Sequence, residues 1–215
     1  KNRRTLILLI AAIFLWFAAF NGVETFWSNY ATYYLQFKEY SMATIVLTIC
    51  SMITFIPAGK IAEKLGRKWT VVLGILIMVV SMLTCFFISP LFLGDGGIIG
   101  DSNKILPIVY YVIFALAGIG WAFINCCSYP MVVELSTQKT VGKYTGYYYT
   151  SSMLAQSVTP IGLGALMLIQ NFAWQVTFAY SAILFVAALL VFIFIPNIKR
   201  AKVETKKGLE AFDKD

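Results

Sequence analysis

Charged residues divide the chain into long uncharged stretches: residues 5–23 (19 positions), 40–59 (20), 69–94 (26), 105–133 (29) and 144–198 (55). A membrane-spanning helix needs about 20 apolar residues, so each of the first four stretches holds one. As a single helix the last would reach about 80 Å, far beyond a hydrocarbon core of about 30 Å, and it must fold back. The polar pair Gln170 and Asn171 is the best place for that turn. The first helix continues past Glu24, because residues 25–37 stay apolar and aromatic, with Tyr30, Tyr33, Tyr34 and Phe37 suited to an interfacial belt. The pattern predicts an all-α integral membrane chain of six transmembrane helices over 5–37, 40–59, 69–93, 105–133, 145–169 and 172–196. A charged tail, 199–215, follows, and no separate soluble domain fits. The helix boundaries are marked by Tyr40 and Ser41, a loop over 59–68, the Gly-rich 94–100, residues 134–143, and Pro196.

Composition agrees: 60% of residues are hydrophobic and 13% charged, with a mean hydropathy of +0.78. Histidine is absent, which removes imidazole metal ligation, Ser-His and Cys-His nucleophile pairs and a histidine proton relay. No enzymatic chemistry and no cofactor are expected. Cys50 and Cys85 lie in apolar runs and Cys126 and Cys127 are adjacent, so none makes a metal-binding spacing and all read as small hydrophobes. The net charge of +7 does not point to nucleic acid, because position matters more than the sum. With a cytoplasmic amino terminus, the inside segments carry 15 of the 17 Lys and Arg, leaving Lys38 and Lys104 outside. The positive-inside rule therefore puts both ends in the cytoplasm. The basic start before an apolar run imitates a signal peptide without a convincing cleavage site. The start at Lys1 rather than methionine suggests a fragment.

Polar residues inside the spans fall on faces. Asn21, Glu24, Thr25, Ser28, Asn29, Thr32 and Gln36 share an arc of about 140° on the first helix. Lipid cannot satisfy such groups, so the face looks into protein or a water-filled cavity. A carboxylate at the depth of Glu24 is costly unless solvated, paired or protonated, and no Lys or Arg of this chain lies at that depth. The fourth helix repeats the pattern with Gly118, Trp121, Asn125, Ser128 and Tyr129 beside Pro130, and the fifth with Tyr149, Ser152, Gln156 and Thr159 near Pro160, Gly162 and Gly164. Trp and Tyr can stack on a sugar ring while amides and hydroxyls meet its OH groups; helix packing explains a lone Trp121 equally well. On the second helix Ser41, Thr44, Thr48 and Ser51 are helically spaced, a weak signal because hydroxyls bond their own backbone.

Between the second and third helices stand Gly59, Glu63, Gly66, Arg67 and Lys68, in the register G-x-x-x-E-x-x-G-R-K. This resembles the loop signature of the major facilitator superfamily, with Glu in place of the usual Asp. A small residue at Gly59 permits close helix approach, Glu63 can cap a facing helix, and Arg67 can pair with a nearby acid. The runs FLWFAAFNGVETFWSNY (14–30), GIGWAFINCCSYPMVVEL (118–135) and GKYTGYYYT (142–150) look like the carboxyl-terminal half of sugar/cation symporters, within the glycoside, pentoside and hexuronide group and its sucrose-transporter-like branch. The resemblance covers all six helices.

It implies a twelve-helix transporter of two halves, working by alternating access around a midplane site. This chain would supply the seventh to twelfth helices, with stripes one, two, four and five on the central pathway and helices three and six peripheral. It further implies a pair between Arg67 and Glu134, while Glu63 reaches toward the opposite half. The expected function is symport of a sugar or glycoside in the plasma membrane, driven by a proton or sodium ion, with a complementary amino-terminal half and the lipid bilayer as partners. Asn21, Glu24, Ser28, Trp121, Asn125, Tyr129 and Gln156 are the expected substrate contacts. Gly59, Glu63, Gly66, Arg67, Lys68 and Glu134 are the expected conformational latch. The rivals are a self-contained homo-oligomeric channel and a non-transporting fragment.

Overall fold

The computed structural model describes residues 2–37, 39–93, 105–168, 174 and 176–196. They form six long helices: α1 (Asn2–Asn29), continued by a π-helical turn (Tyr30–Tyr34), α2 (Tyr40–Leu65), α3 (Arg67–Leu93), α4 (Ile105–Glu134), α5 (Val141–Met167) and α6 (Val176–Ile193). Five of them, all but α5, are long and apolar enough to cross a membrane. At 27 residues α5 has the length. Its Ser, Thr, Gln and Lys residues dilute its apolar character. The expected turn at Gln170 and Asn171, the Gly-rich stretch 94–100, the charged tail, Lys38 and Lys104 lie outside the described residues.

The expected loop over 59–68 is not a loop. α2 runs on through Lys60, Ile61, Ala62, Glu63 and Lys64 to Leu65, and Gly66 alone joins it to α3. All but Ile61 are strong helix formers, so the helix outlasts its apolar segment. Gly66 has φ +87, a conformation that suits glycine. Its N–H donates to the Ala62 carbonyl and its own carbonyl accepts the Thr70 N–H, each at 3.1 Å. Similarly α5 begins at Val141 rather than 145, taking Lys143 into its first turn. α1 closes through Gln36 at φ 52, with the Phe37 N–H donating to the Ala31 carbonyl at 2.8 Å. That bond reaches one residue further back than the usual closure of a helix ending in a left-handed residue, in keeping with the wider π-helical turn before it.

α4 is sandwiched between α2 and α3, and two glycines two residues apart explain how. A Cβ at Gly118 would stand 2.3 Å from the Leu47 carbonyl oxygen of α2. One at Gly120 would stand 2.9 Å from the Gly74 carbonyl oxygen of α3. Successive even positions of a helix point to nearly opposite sides, so each glycine admits a different neighbour.

α1 is held in the same way between α5 and α6, here by hydroxyl groups. Ser151 donates to the Ile10 carbonyl at 3.0 Å and Thr159 to the Ala18 carbonyl at 3.4 Å, so α1 and α5 run parallel in constant register. Ser181 of α6 donates to the Ala19 carbonyl at 2.7 Å beside Gly22, while Trp16 meets Phe192 and Trp27 meets Phe178 edge-on, which makes α6 antiparallel to α1. Such polar bonds and small residues are the adhesive of helices in lipid, where burial of apolar surface from water is unavailable.

α3 also packs on α6. Exchanging each helix for the one three places along, α1 with α4, α2 with α5 and α3 with α6, maps this set of neighbours onto itself, as in a fold of two related three-helix repeats. The outward residues of α3, Leu73, Leu76, Val80, Leu83 and Phe87, form a purely apolar stripe at spacings of three and four. Its Ser81 and Thr84 hydroxyls donate to their own helix at Ile77 and Val80.

Candidate functional site

A cavity of about 330 Å³ opens between α1, α2 and α4. Its aromatic wall is Phe20 and Trp27 of α1 with Phe114 and Trp121 of α4; its polar groups are the Glu24 carboxylate and, from α2, Thr44, Thr48 and Ser51. Helical geometry sets this division: Phe20, Glu24 and Trp27 follow at intervals of four and three on one face of α1, and Thr44, Thr48 and Ser51 repeat those intervals on α2. One end is closed by aromatic packing. Trp27 donates its indole N–H to the Tyr40 carbonyl at 3.0 Å and lies against Phe114 and Tyr110, and the hydroxyls of Tyr30 and Tyr110 meet at 3.3 Å.

Of the expected substrate contacts, Glu24 and Trp121 line this cavity together. Trp121 is not a free platform: Phe20 stacks on it at a centroid distance of 3.8 Å and 8° between planes, and Phe17 meets it edge-on. The other five expected contacts do not line it. Asn21 accepts a bond from Thr25 at 3.3 Å on its own helix. Asn125 donates its amide to the Trp121 carbonyl at 2.9 Å, also within its helix. Tyr129 packs among Tyr148 and Tyr149, its hydroxyl 3.4 Å from Thr145. Ser28 is half-buried away from the cavity, and Gln156 is exposed on α5. Sequence reasoning discounted the α2 hydroxyls. Thr48 does bond its own backbone, donating to the Thr44 carbonyl at 2.9 Å, yet the stripe faces Glu24 across the cavity. The shared four-and-three spacing was the available signal.

The basic signature lies at one end of the bundle. Arg67 and Glu134 join the start of α3 to the end of α4, their nearest atoms 2.5 Å apart. Lys68 donates to the Ile193 carbonyl at 2.9 Å, at the carboxyl end of α6, where a cation meets the negative end of the helix dipole. Glu63 is exposed on the last turn of α2. The close approach expected at Gly59 does not occur among the described residues: a Cβ there would meet nothing within 4 Å. α2 instead touches α4 at Leu47 and Gly118, three turns away, because that is where α4 lacks a side chain.

This arrangement can be set beside known proteins. A profile of the Major Facilitator Superfamily matches residues 5–214. The "uncharacterized protein in sodM 3′ region" of Geobacillus stearothermophilus is 24% identical over 148 residues, 69% of this chain and 63% of that protein. Among solved structures, the proton:xylose symporter XylE bound to 6-bromo-6-deoxy-D-glucose superimposes with a TM-score of 0.71 at 13% identity, over 92% of this chain and 45% of the symporter. The chain thus spans less than two thirds of either relative. The profile match covers nearly the whole sequence, and the chain belongs to the Major Facilitator Superfamily, a family of multi-pass membrane transporters.

Proposed function

We propose that this chain is the carboxyl-terminal half of a sugar or glycoside symporter of the plasma membrane, coupled to a proton or sodium ion and working by alternating access. In this reading α5 is the sixth membrane crossing and the basic end of the bundle is cytoplasmic. One observation carries the proposal: an aromatic wall on α1 and α4 faces a carboxylate and a row of hydroxyls, the pairing of ring-stacking surface and hydrogen-bond partners that a sugar calls for. The likeness to a xylose symporter supports the substrate class. The cavity opens between three helices of this chain, and the xylose symporter, of which the chain spans 45%, leaves room for a second six-helix half to enclose it.

The test is gradient-driven uptake of radiolabelled monosaccharides and glycosides into proteoliposomes. The chain alone should give none, and the chain joined to or co-expressed with a complementary half should take up at least one. Robust coupled uptake by the chain alone would favour self-association of this half instead. Absence of sugar uptake from the complete protein, with another solute carried, would remove the sugar reading.

A further inference from the structure

Among the described residues, the cavity between α1, α2 and α4 is lined by one charged group, the Glu24 carboxylate, and by no Lys or Arg. The helices that build it bring no cation close. α4 carries none, those of α1 are Arg3 and Arg4, about 30 Å back along the helix from Glu24, and the first on α2 is Lys60, about 14 Å beyond Ser51. The hydrogen-bonding groups are biased the same way. An ionised carboxylate only accepts. Thr48 uses its hydroxyl proton on the Thr44 carbonyl at 2.9 Å, keeping lone pairs for a ligand, and Trp27 uses its indole N–H on the Tyr40 carbonyl at 3.0 Å. Two donors of the lining are thus occupied, and its one charge is a strong acceptor.

Such a lining suits a ligand that donates. A neutral sugar offers hydroxyl protons to Glu24 and Thr48 and an apolar ring face to the aromatic wall. A hexuronate, the same ring with a carboxylate at C6, brings a second acceptor-only anion into a cavity of low dielectric, where like charges repel more strongly than in water. Resting on the sugar reading above, we propose that Glu24 sets the charge class of the substrate: neutral sugars and glycosides are accepted, and hexuronates are rejected. Discrimination of this kind needs no extra contact to the favoured ligand, only a repulsive group against the other.

The experiment compares near-isosteres on the complete transporter: glucuronate with glucuronamide and galacturonate with galacturonamide, beside glucose and galactose themselves. Binding is read by calorimetric titration in detergent, with no gradient. The amide should bind roughly tenfold or more tightly than the acid. Glu24→Gln should bring that ratio close to one even as both affinities fall, and Glu24→Asp, which keeps the charge, should keep the ratio. Glu24→Ser serves in place of Glu24→Gln should that variant not fold. An acid bound as tightly as its amide would overturn the proposal and point to a cation supplied by the enclosing half. So would a ratio that survives loss of the carboxylate. Rejection of the amides as complete as that of the acids would make shape rather than charge the criterion, and would overturn it too. If neither parent sugar nor any derivative binds, the sugar reading fails and takes this inference with it; if the parents bind without discrimination between acid and amide, this inference fails alone.

Discussion

The ring of Phe20 lies flat on the indole of Trp121, 3.8 Å between centroids, and so ties α1 to α4 at the wall of the cavity. The pair fixes the tilt of the indole that a sugar would meet. Alanine at either position should destabilise the bundle, and the double substitution should fall short of the sum by about 0.5–1.5 kcal/mol. Reversible unfolding in mixed micelles measures the cycle. Strict additivity would mean that the two rings are neighbours without energetic coupling.

Glu24 is the acid of the cavity, so Glu24→Gln separates two roles. As a partner for sugar hydroxyls, the carboxylate contributes a charge-assisted bond worth about 1.5–3 kcal/mol, and its loss should weaken sugar binding by roughly tenfold or more while leaving the remaining uptake ion-dependent. Calorimetric titration and counterflow in the complete transporter read the two quantities separately. Unchanged sugar affinity with lost ion dependence would assign Glu24 to ion coupling instead.

The glycines of α4 should respond unlike those elsewhere. Gly118→Ala drives a Cβ against the Leu47 carbonyl, a backbone atom that cannot step aside, and should cost about 1–3 kcal/mol or abolish the folded state. Gly59→Ala meets open space and should leave the stability of this half unchanged or raise it by up to about 1 kcal/mol, because alanine suits a helix better. Thermal stability in detergent, followed by gel-filtration profile, distinguishes them. A large loss at Gly59 confined to the complete transporter would locate a contact with the other half.

Much of this was legible in the sequence, for identifiable reasons. Uninterrupted apolar length announces helices, so α3 and α4 were placed within two residues of their ends. Ends that depend on helix propensity were missed: residues 60–65 read as a loop because of Lys60, Glu63 and Lys64, although all but Ile61 are strong helix formers. The Arg67 and Glu134 contact came through family resemblance, since nothing local ties positions 67 residues apart in the chain. The cavity was only half legible. Periodicity put Glu24 and Trp121 on inward faces, but it could not tell that Asn125 spends its amide on its own helix, or that Thr44, Thr48 and Ser51 stand opposite Glu24. That depends on how α2 is rotated against α4, and the close approach at Gly118 sets it.

Arg67 and Glu134 offer a test by exchange. Arg67→Ala leaves a half-buried carboxylate without its partner and should cost about 1–3 kcal/mol, the lower end reflecting the exposure of the arginine. Reversing the pair, Arg67→Glu with Glu134→Arg, should recover most of that loss, because it also puts the acid at the start of α3 and the base at the end of α4, where helix dipoles favour them. If the pair is also a latch, the alanine variant should slow uptake more than it weakens binding. A reversed pair no better than the single substitution would show that more than charge is recognised at this junction.

Orientation can be read chemically. In a cysteine-free background, a cysteine at Thr137, in the turn between α4 and α5 on the basic end, should react with an impermeant maleimide only after cells are permeabilised. Cysteines at Lys38 and Lys104 should react in intact cells. The reverse pattern would invert the chain in the bilayer and remove the match to the second half of a symporter.

The exchange symmetry of the helices has a consequence for biosynthesis. Every extensive helix contact joins one of the first three helices to one of the last three; within a repeat, neighbours touch only slightly. As the chain emerges from the ribosome, α1 therefore waits for α5 and α6, and α2 waits for α4, with the carboxylate of Glu24 facing lipid or the insertion machinery meanwhile. The first three helices make few contacts with one another on which to pack alone. A stop codon after α3 should therefore leave an insertable but loosely packed product, a substrate for membrane quality control, because α4, α5 and α6 supply the surfaces on which the first three helices pack.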